Sequence, residues 1–218
     1  MTSKFIVLAN GEINNPSLIQ TRLAPWSDAT VIAADGGYRH AEALGLRVNV
    51  LIGDMDSVRE GNGLDGADRE VSVIEFPHIK DETDLELALM HAADQGADEM
   101  VILGAHGGRL DMTLANLLLL THPRLSSIHI EIWADIQTAW FIRPPGGDIA
   151  GEPGDTVSLL PLLNDAIDIT TTNLAYALNG GSLLAGEVRG VSNVMTDKNA
   201  RIDLGAGTLL VVHTHGHL

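Results

Sequence analysis

Asp54 and Asp56 stand one residue apart in "LIGDMDSV" (51–58), directly after an apolar run that ends at Gly53. In an extended segment, residues i and i+2 point to one side, so two such carboxylates can share a hard cation such as Mg²⁺. The same residues also suit a turn in which Asp56 and Ser57 cap a following helix, and taken alone the motif favours that turn. "PHIKDETD" (77–84) adds Lys80, Asp81 and Asp84. Asp81 stands where an N-cap belongs and Asp84 follows three residues on, both at the positive end of a helix dipole. Asp84 in a first turn can equally ligate a metal or accept a substrate proton. In "GAHGGRLD" (104–111), Gly107 and Gly108 precede a helical pattern, which lets backbone N–H groups approach a phosphate. Arg109 there offers a guanidinium fork, and Asp111 beside it can hold that fork or a metal; the plain alternative is a tight turn with a surface ion pair. Asp35, Gly36 and Gly37 form a further Asp-Gly-Gly turn. No Gly-Lys pair occurs, so a Walker A loop is excluded.

These residues need elements to hold them. "KFIVLAN", "TVIAAD", "VNVLIGD", "VSVIEF", "EMVILGA" and "IHIEIWAD" are short, apolar and partly β-branched, as strands are. Between several of them lie helical periods. Leu85, Ala88, Leu89 and Ala92 share one face with Gly96 as the stop, and Leu110, Leu114, Leu117 and Leu118 share another. Strand–helix alternation predicts an α/β layer with a largely parallel sheet, in which ligands bind beyond the carboxyl ends of the strands. The acids and paired glycines above all follow strands, so they fall on one rim. At "RPPGGDIAGEPGD" (143–155) the pattern breaks into a predicted linker or set of tight turns. Short strands with Gly, Asn and Asp turns follow, and they predict a small all-β domain, sandwich or barrel-like. The expected division is an α/β catalytic domain over 1–145 and a β-sandwich domain over 146–218. His213, His215 and His217 alternate near the end, as metal chelators or, more commonly, as the solvated face of a terminal strand.

The balance of 29 acids against 13 Lys plus Arg, a formal net charge of -16, argues against binding a nucleic acid backbone. A polyanion such as ATP needs a cation between itself and the carboxylates. Cysteine is absent, which removes disulfides and thiolate metal sites, and no apolar run is long enough to span a bilayer. The start, "MTSKFIVLANGE", reads as a first strand and lacks a signal-peptide layout. A cytoplasmic location is expected, with no membrane partner.

"ADGGYRHAEALG", "LIGDMDS", "KDETDLELAL", "GAHGGRLDMTLANLLLL" and "GVSN", in this order, resemble the thiamine pyrophosphokinase (thiamine diphosphokinase) family over residues 4 to 214. The resemblance implies an α/β domain followed by a β-sandwich, a homodimer with active sites between subunits, and transfer of a diphosphoryl group from ATP to the thiamine hydroxyl with release of AMP. It implies Mg²⁺ at Asp54, Asp56 and Asp84, with Asp111 beside them. It implies ATP at Asp35, Gly36, Gly37, Lys80, Gly107, Gly108 and Arg109. Thiamine is implied at Tyr176, Ser192 and Asn193, where "NLAYAL" and "GVSN" match. The chain departs from the family pattern at Met55, Met112 and Val194, where an aromatic, a histidine and a glutamate are common. Two other readings are a diphosphokinase for another hydroxymethyl heterocycle, such as a pterin alcohol, and a non-catalytic thiamine sensor.

Overall fold

The computed structural model of the chain describes residues 2–54 and 71–216. Met55, Asp56, Ser57 and His217 lie outside them. The described chain forms two compact units that divide between Asp135 and Ile136. That division precedes the expected one at 145, because the strand from Gln137 to Ile142 pairs with the last strand of the second unit.

The first unit has strands β1 (Lys4–Leu8), β2 (Thr30–Ala34), β3 (Val50–Gly53), β4 (Ser72–Glu75), β5 (Glu99–Leu103) and β6 (His129–Ala134). They lie in the order β6-β5-β1-β2-β3-β4, and every pairing along it is parallel. Residues of β1, β2, β3 and β5 are almost all buried, the near-continuous apolar signature of a sheet covered on both faces. The chain leaves β1 towards β2, β3 and β4, then returns to the other side of β1 with β5. The order therefore reverses between β1 and β5, where an open α/β sheet leaves a crevice for ligands. Helices α1 (Pro16–Arg22), α2 (Ala41–Leu44), α3 (Asp84–Asp94) and α4 (Leu110–Leu119) connect the strands.

The predicted face of α3 is the buried one: Leu85, Ala88, Leu89 and Ala92 all pack inside. Its cap differs from the expectation. Thr83, not Asp81, is the N-cap, and its hydroxyl accepts from Glu86 N at 3.1 Å. Thr83-x-x-Glu86 has the spacing of a capping box. Asp84 is thereby the first helical residue and is not needed as a cap. The predicted face of α4 is not buried: Leu110, Leu114 and Leu118 are 73%, 50% and 44% exposed, and Asn116 is the buried residue of the helix.

The second unit is antiparallel, with strands β7 (Gln137–Ile142), β8 (Gly146–Ala150), β9 (Thr156–Leu160), β10 (Ala166–Thr172), β11 (Gly181–Leu183), β12 (Asn193–Val194), β13 (Asn199–Ala206) and β14 (Leu209–Thr214). One layer runs β12-β9-β14-β7 and the other β11-β10-β13-β8. Trp140, Ile149, Val157, Ile169, Ile202 and Val211 are among the buried residues between them, the core of a β-sandwich. Residues 146–150 were expected to be turn or linker. They form β8 instead, paired with β13. A Cβ at Gly146 would lie 1.9 Å from the Ile202 carbonyl oxygen, so glycine there permits close backbone approach rather than marking a loop.

Candidate active site

A cavity of about 540 Å³ opens in the first unit where the strand order reverses. Its floor comes from the chain after β1 (Ala9, Asn10, Gly11) and after β5 (Gly104, Ala105, His106). These two segments lie together through Ala9 N to Leu103 O at 2.8 Å, Gly11 N to Gly104 O at 2.7 Å and Glu12 N to His106 O at 2.7 Å. Any side chain at Gly11 or Gly104 would meet a carbonyl oxygen within 2.4 Å, so both must be glycine for the segments to run this close.

Three acids converge on one wall. Asp35 follows β2, Asp54 follows β3 and Asp84 starts α3; all three line the cavity. A Cβ on Gly53 would lie 2.8 Å from Asp35 Cβ and 3.3 Å from Asp84 Oδ1, so the glycine makes room between two of the acids. Asp35 takes a left-handed backbone, φ 41°, and its Oδ1 is buried with no hydrogen-bond partner. A buried carboxylate oxygen without a donor is costly and suits a cation. Asp84 Oδ1 accepts from Lys80 Nζ at 2.7 Å, and Asp54 Oδ2 meets His78 Nδ1 at 2.7 Å.

Arg109 lines the same cavity. Its Nε and Nη2 donate to the two oxygens of Asp111 at 3.1 and 2.6 Å. Hydrogen bonding from Arg109 lowers the Asp111 carboxyl, and hydrogen bonding to Asp111 raises the Arg109 guanidinium. Both side chains are largely exposed, 72% and 65%, so water screens the pair. Asp111 itself is not part of the cavity wall. Gly107 and Gly108 do line it, and Gly108 N donates to Glu12 Oε1 at 3.1 Å. Gly36 and Gly37 lie behind the wall: a Cβ on Gly37 would sit 2.1 Å from Leu8 O, so its role is close packing under β1.

The second unit has a smaller cavity of about 260 Å³, lined by apolar Leu159, Leu178 and Leu183 with Tyr176, Arg189 and Asn193. Tyr176 is 73% exposed, and Asn193 is buried. Asn193 Oδ1 accepts from Tyr176 N and Val194 N, both at 2.9 Å, and its Nδ2 donates to Tyr176 O at 2.9 Å. The carboxamide oxygen is thus committed to holding the Tyr176 backbone. Ser192 lies outside the cavity wall, exposed, with φ 56°.

Two domain models match the chain. The thiamin pyrophosphokinase catalytic domain matches residues 23–132, and the thiamin pyrophosphokinase vitamin B1 binding domain matches residues 148–209. The chain belongs to the thiamin pyrophosphokinase family. It is thus a transferase. Thiamine pyrophosphokinase of Bacillus subtilis (strain 168) is 28% identical over 187 residues, 85% of this chain and 83% of that protein. The crystal structure of thiamine pyrophosphokinase from Bacillus subtilis superposes with a TM-score of 0.84 at 24% identity, covering 98% of this chain and all of that one. The thiamin pyrophosphokinase structure from Candida albicans gives 0.71 at 14% identity, with 99% and 90% covered. At these identities the structures establish the fold.

Asp35, Asp54, Lys80, Asp84, Arg109 and Asp111 fall in the catalytic-domain match, and Tyr176, Ser192 and Asn193 in the B1-binding match. The structure also places residues in the first cavity that sequence reasoning passed over. Asn10 and Asn116 line it, the latter donating to Ala105 O at 2.8 Å. His106 lines it with Nδ1 buried and without a hydrogen-bond partner. Arg39 Nη2 donates to Asn10 O and Gly11 O, and His40 Nε2 donates to Gly11 O at 2.9 Å, fixing the segment after β1. Burial lowers the His40 pKa, and neighbouring Arg39 lowers it further against the Gly11 hydrogen bond. A histidine in an Arg-His pair two turns from a strand carries no periodic signal of its own. His106 lies within "GAHGGRLD", where the glycines and the arginine carry the stronger phosphate-binding signal.

Proposed function

We propose that this chain is a thiamine diphosphokinase that transfers the β,γ-diphosphoryl group of ATP to the primary hydroxyl of thiamine, giving thiamine diphosphate and AMP. The observation that supports it most is the convergence of Asp35, Asp54 and Asp84 on one cavity that Arg109 also lines, in a chain of this family. The donors are carboxylate oxygens, and Asp35 Oδ1 has no hydrogen-bond partner among the described residues, which fits Mg²⁺. Asp54, Asp84 and Asp56 would hold the ion, with Asp35 beside them; Asp56 lies outside the described residues. When bound, the ion neutralises phosphate charge and keeps ATP and carboxylates from repelling one another.

The chain's own groups then divide the work. Lys80, Arg109 and the Gly107–Gly108 backbone hold phosphate oxygens, with Asp111 setting the guanidinium plane. The thiamine oxygen attacks the β-phosphorus, the bond from that phosphorus to the bridging oxygen of AMP breaks, and the hydroxyl proton passes to a carboxylate, Asp84 in this reading. The thiamine ring stacks on Tyr176, which Asn193 positions, with Ser192 nearby. The first unit is catalytic, and the second binds thiamine and dimerises.

A homodimer with sites shared between subunits follows from the resemblance. The exposed row Leu110, Leu114 and Leu118 on α4 adds, from the first unit, a further apolar surface whose burial against a second copy is favourable. Among the described residues no helix is long and apolar enough to cross a membrane, and a cytoplasmic enzyme is the reading consistent with that.

An AMP-release assay with ATP, Mg²⁺ and a panel of heterocyclic alcohols tests the substrate. Thiamine is expected to drive AMP formation well above the pterin alcohols. Equal or better turnover with a pterin alcohol replaces thiamine as substrate, and no AMP with any alcohol leaves a binding protein.

A further inference from the structure

His213 in β14 and His215 just past its end alternate as the solvated face of a terminal strand would. The structure instead buries His213 and brings Asp155, 58 residues away in sequence, against it. Asp155 Oδ2 lies 2.8 Å from His213 Nε2 and 3.9 Å from His215 Nδ1. Around an ion held at about 2.1 Å by oxygen and nitrogen in a tetrahedron, ligand atoms stand about 3.4 Å apart. The two observed separations bracket that value, and all three ligand atoms lie within 4.8 Å of one another.

The surroundings match a metal site on two further counts. Two of the three ligands are held by neighbours as well. Asp155 Oδ1 accepts from Gly216 N at 2.8 Å and Oδ2 from Glu152 N at 3.0 Å, while His215 Nε2 lies 3.3 Å from Thr138 Oγ1. With its proton on Nε2 towards Thr138, His215 would present Nδ1 to Asp155, the way partners of metal-bound histidines fix the tautomer. Space is also kept beside the ligands. A Cβ on Gly151 would lie 2.8 Å from Asp155 Oδ2 and 2.9 Å from His213 Nε2, so only glycine leaves that point open.

We propose that Asp155, His213 and His215 bind one divalent transition-metal ion of the Zn²⁺ kind in the β-sandwich unit, separate from the carboxylate cavity of the first unit. Two imidazoles and a carboxylate select such an ion over Mg²⁺, which prefers an all-oxygen shell. The ion takes the place of the hydrogen between His213 Nε2 and Asp155, and that ring keeps its proton on Nδ1. His215 is 41% exposed and gives the ion its way in. The role is structural: the ion ties the end of β14 to the turn before β9.

The test uses untagged full-length protein, dialysed against chelator and returned to millimolar Mg²⁺ to fill oxygen sites. Zn²⁺ is then titrated, and bound metal is measured after gel filtration. One Zn²⁺ per chain is expected in the wild type and in Asp54→Asn, and at least tenfold weaker binding in His215→Ala. At Zn²⁺ a hundredfold above its Kd, the melting temperature of the wild type should rise by several degrees and that of His215→Ala should not. Co²⁺ should give the strong visible absorption of a four-coordinate nitrogen and oxygen site in the wild type. No retained Zn²⁺, or equal retention by His215→Ala, overturns the proposal and leaves Asp155 and His213 as a buried hydrogen-bonded pair. Loss of Zn²⁺ in Asp54→Asn alone also overturns it, by assigning the metal to the first unit.

Discussion

Asp54 and Asp111 were read from the sequence in the same way, as acids following strands, and the structure separates them. Asp54 sits on the cavity wall 2.7 Å from His78, whereas Asp111 is exposed and paired with Arg109 outside it. The account therefore expects unequal losses. Asp54→Asn should lower turnover on the order of 100-fold or more, the usual cost of removing one charge-stabilising group. Asp111→Asn should lower it far less and act mainly on the ATP KM, through Arg109. Steady-state kinetics at fixed Mg²⁺ check this, and equal losses in the two variants would place Asp111 in the chemistry. Such separation was not legible beforehand, since one carboxylate at a strand end reads like another until the helix after it shows which way it faces. Asp84 illustrates the same limit. The capping box of Thr83 and Glu86 was on the page as letters, yet Asp81 was the expected cap. Tyr176 and Asn193 were legible as pocket residues, but not that Asn193 acts through the backbone of Tyr176.

At the scale of elements, strands were legible because a sheet covered on both faces demands unbroken apolar runs, and β1, β2, β3 and β5 have them. Strand β8 was not, because its glycines serve close approach to β13 and look like turn residues. Helix α4 has a helical period whose apolar row faces outwards, and periodicity alone cannot say what covers a face. Two predictions belong here. Thr83→Ala removes the cap of α3 and should cost about 1 kcal/mol of stability, read from denaturant unfolding with an unchanged slope. An unchanged midpoint would show that the hydroxyl bond to Glu86 contributes nothing. The second concerns the segment after β1. His40 has a folded pKa below its ordinary 6.5, because burial disfavours the charged ring. Below 6.5 the unfolded chain therefore binds a proton that the folded chain resists, and stability falls as pH drops from 6.5 through the folded pKa. His40→Gln keeps a donor for Gly11 O and does not titrate. Its melting temperature should fall less steeply than the wild type's over that window, and parallel profiles would contradict the assignment.

For the whole molecule, the acids and the Tyr176 pocket lie in different compact units, and the proposed enzyme draws one site from two subunits. Subunit mixing tests that arrangement. Asp54→Asn and a Tyr176→Ala variant, each with low activity, should regain activity once their subunits exchange, because one hybrid site then carries neither change. Exchange demonstrated by mass with no regain would assign each site to a single chain. The central claim is narrower and more exposed: a diphosphoryl group moves as a unit from ATP to thiamine. ATP labelled at its β-phosphorus and incubated with thiamine, Mg²⁺ and the wild-type protein decides it. The account predicts label in the thiamine product, with unlabelled AMP formed in equal amount. Label left in ADP, with a product carrying only the γ-phosphate, would contradict it.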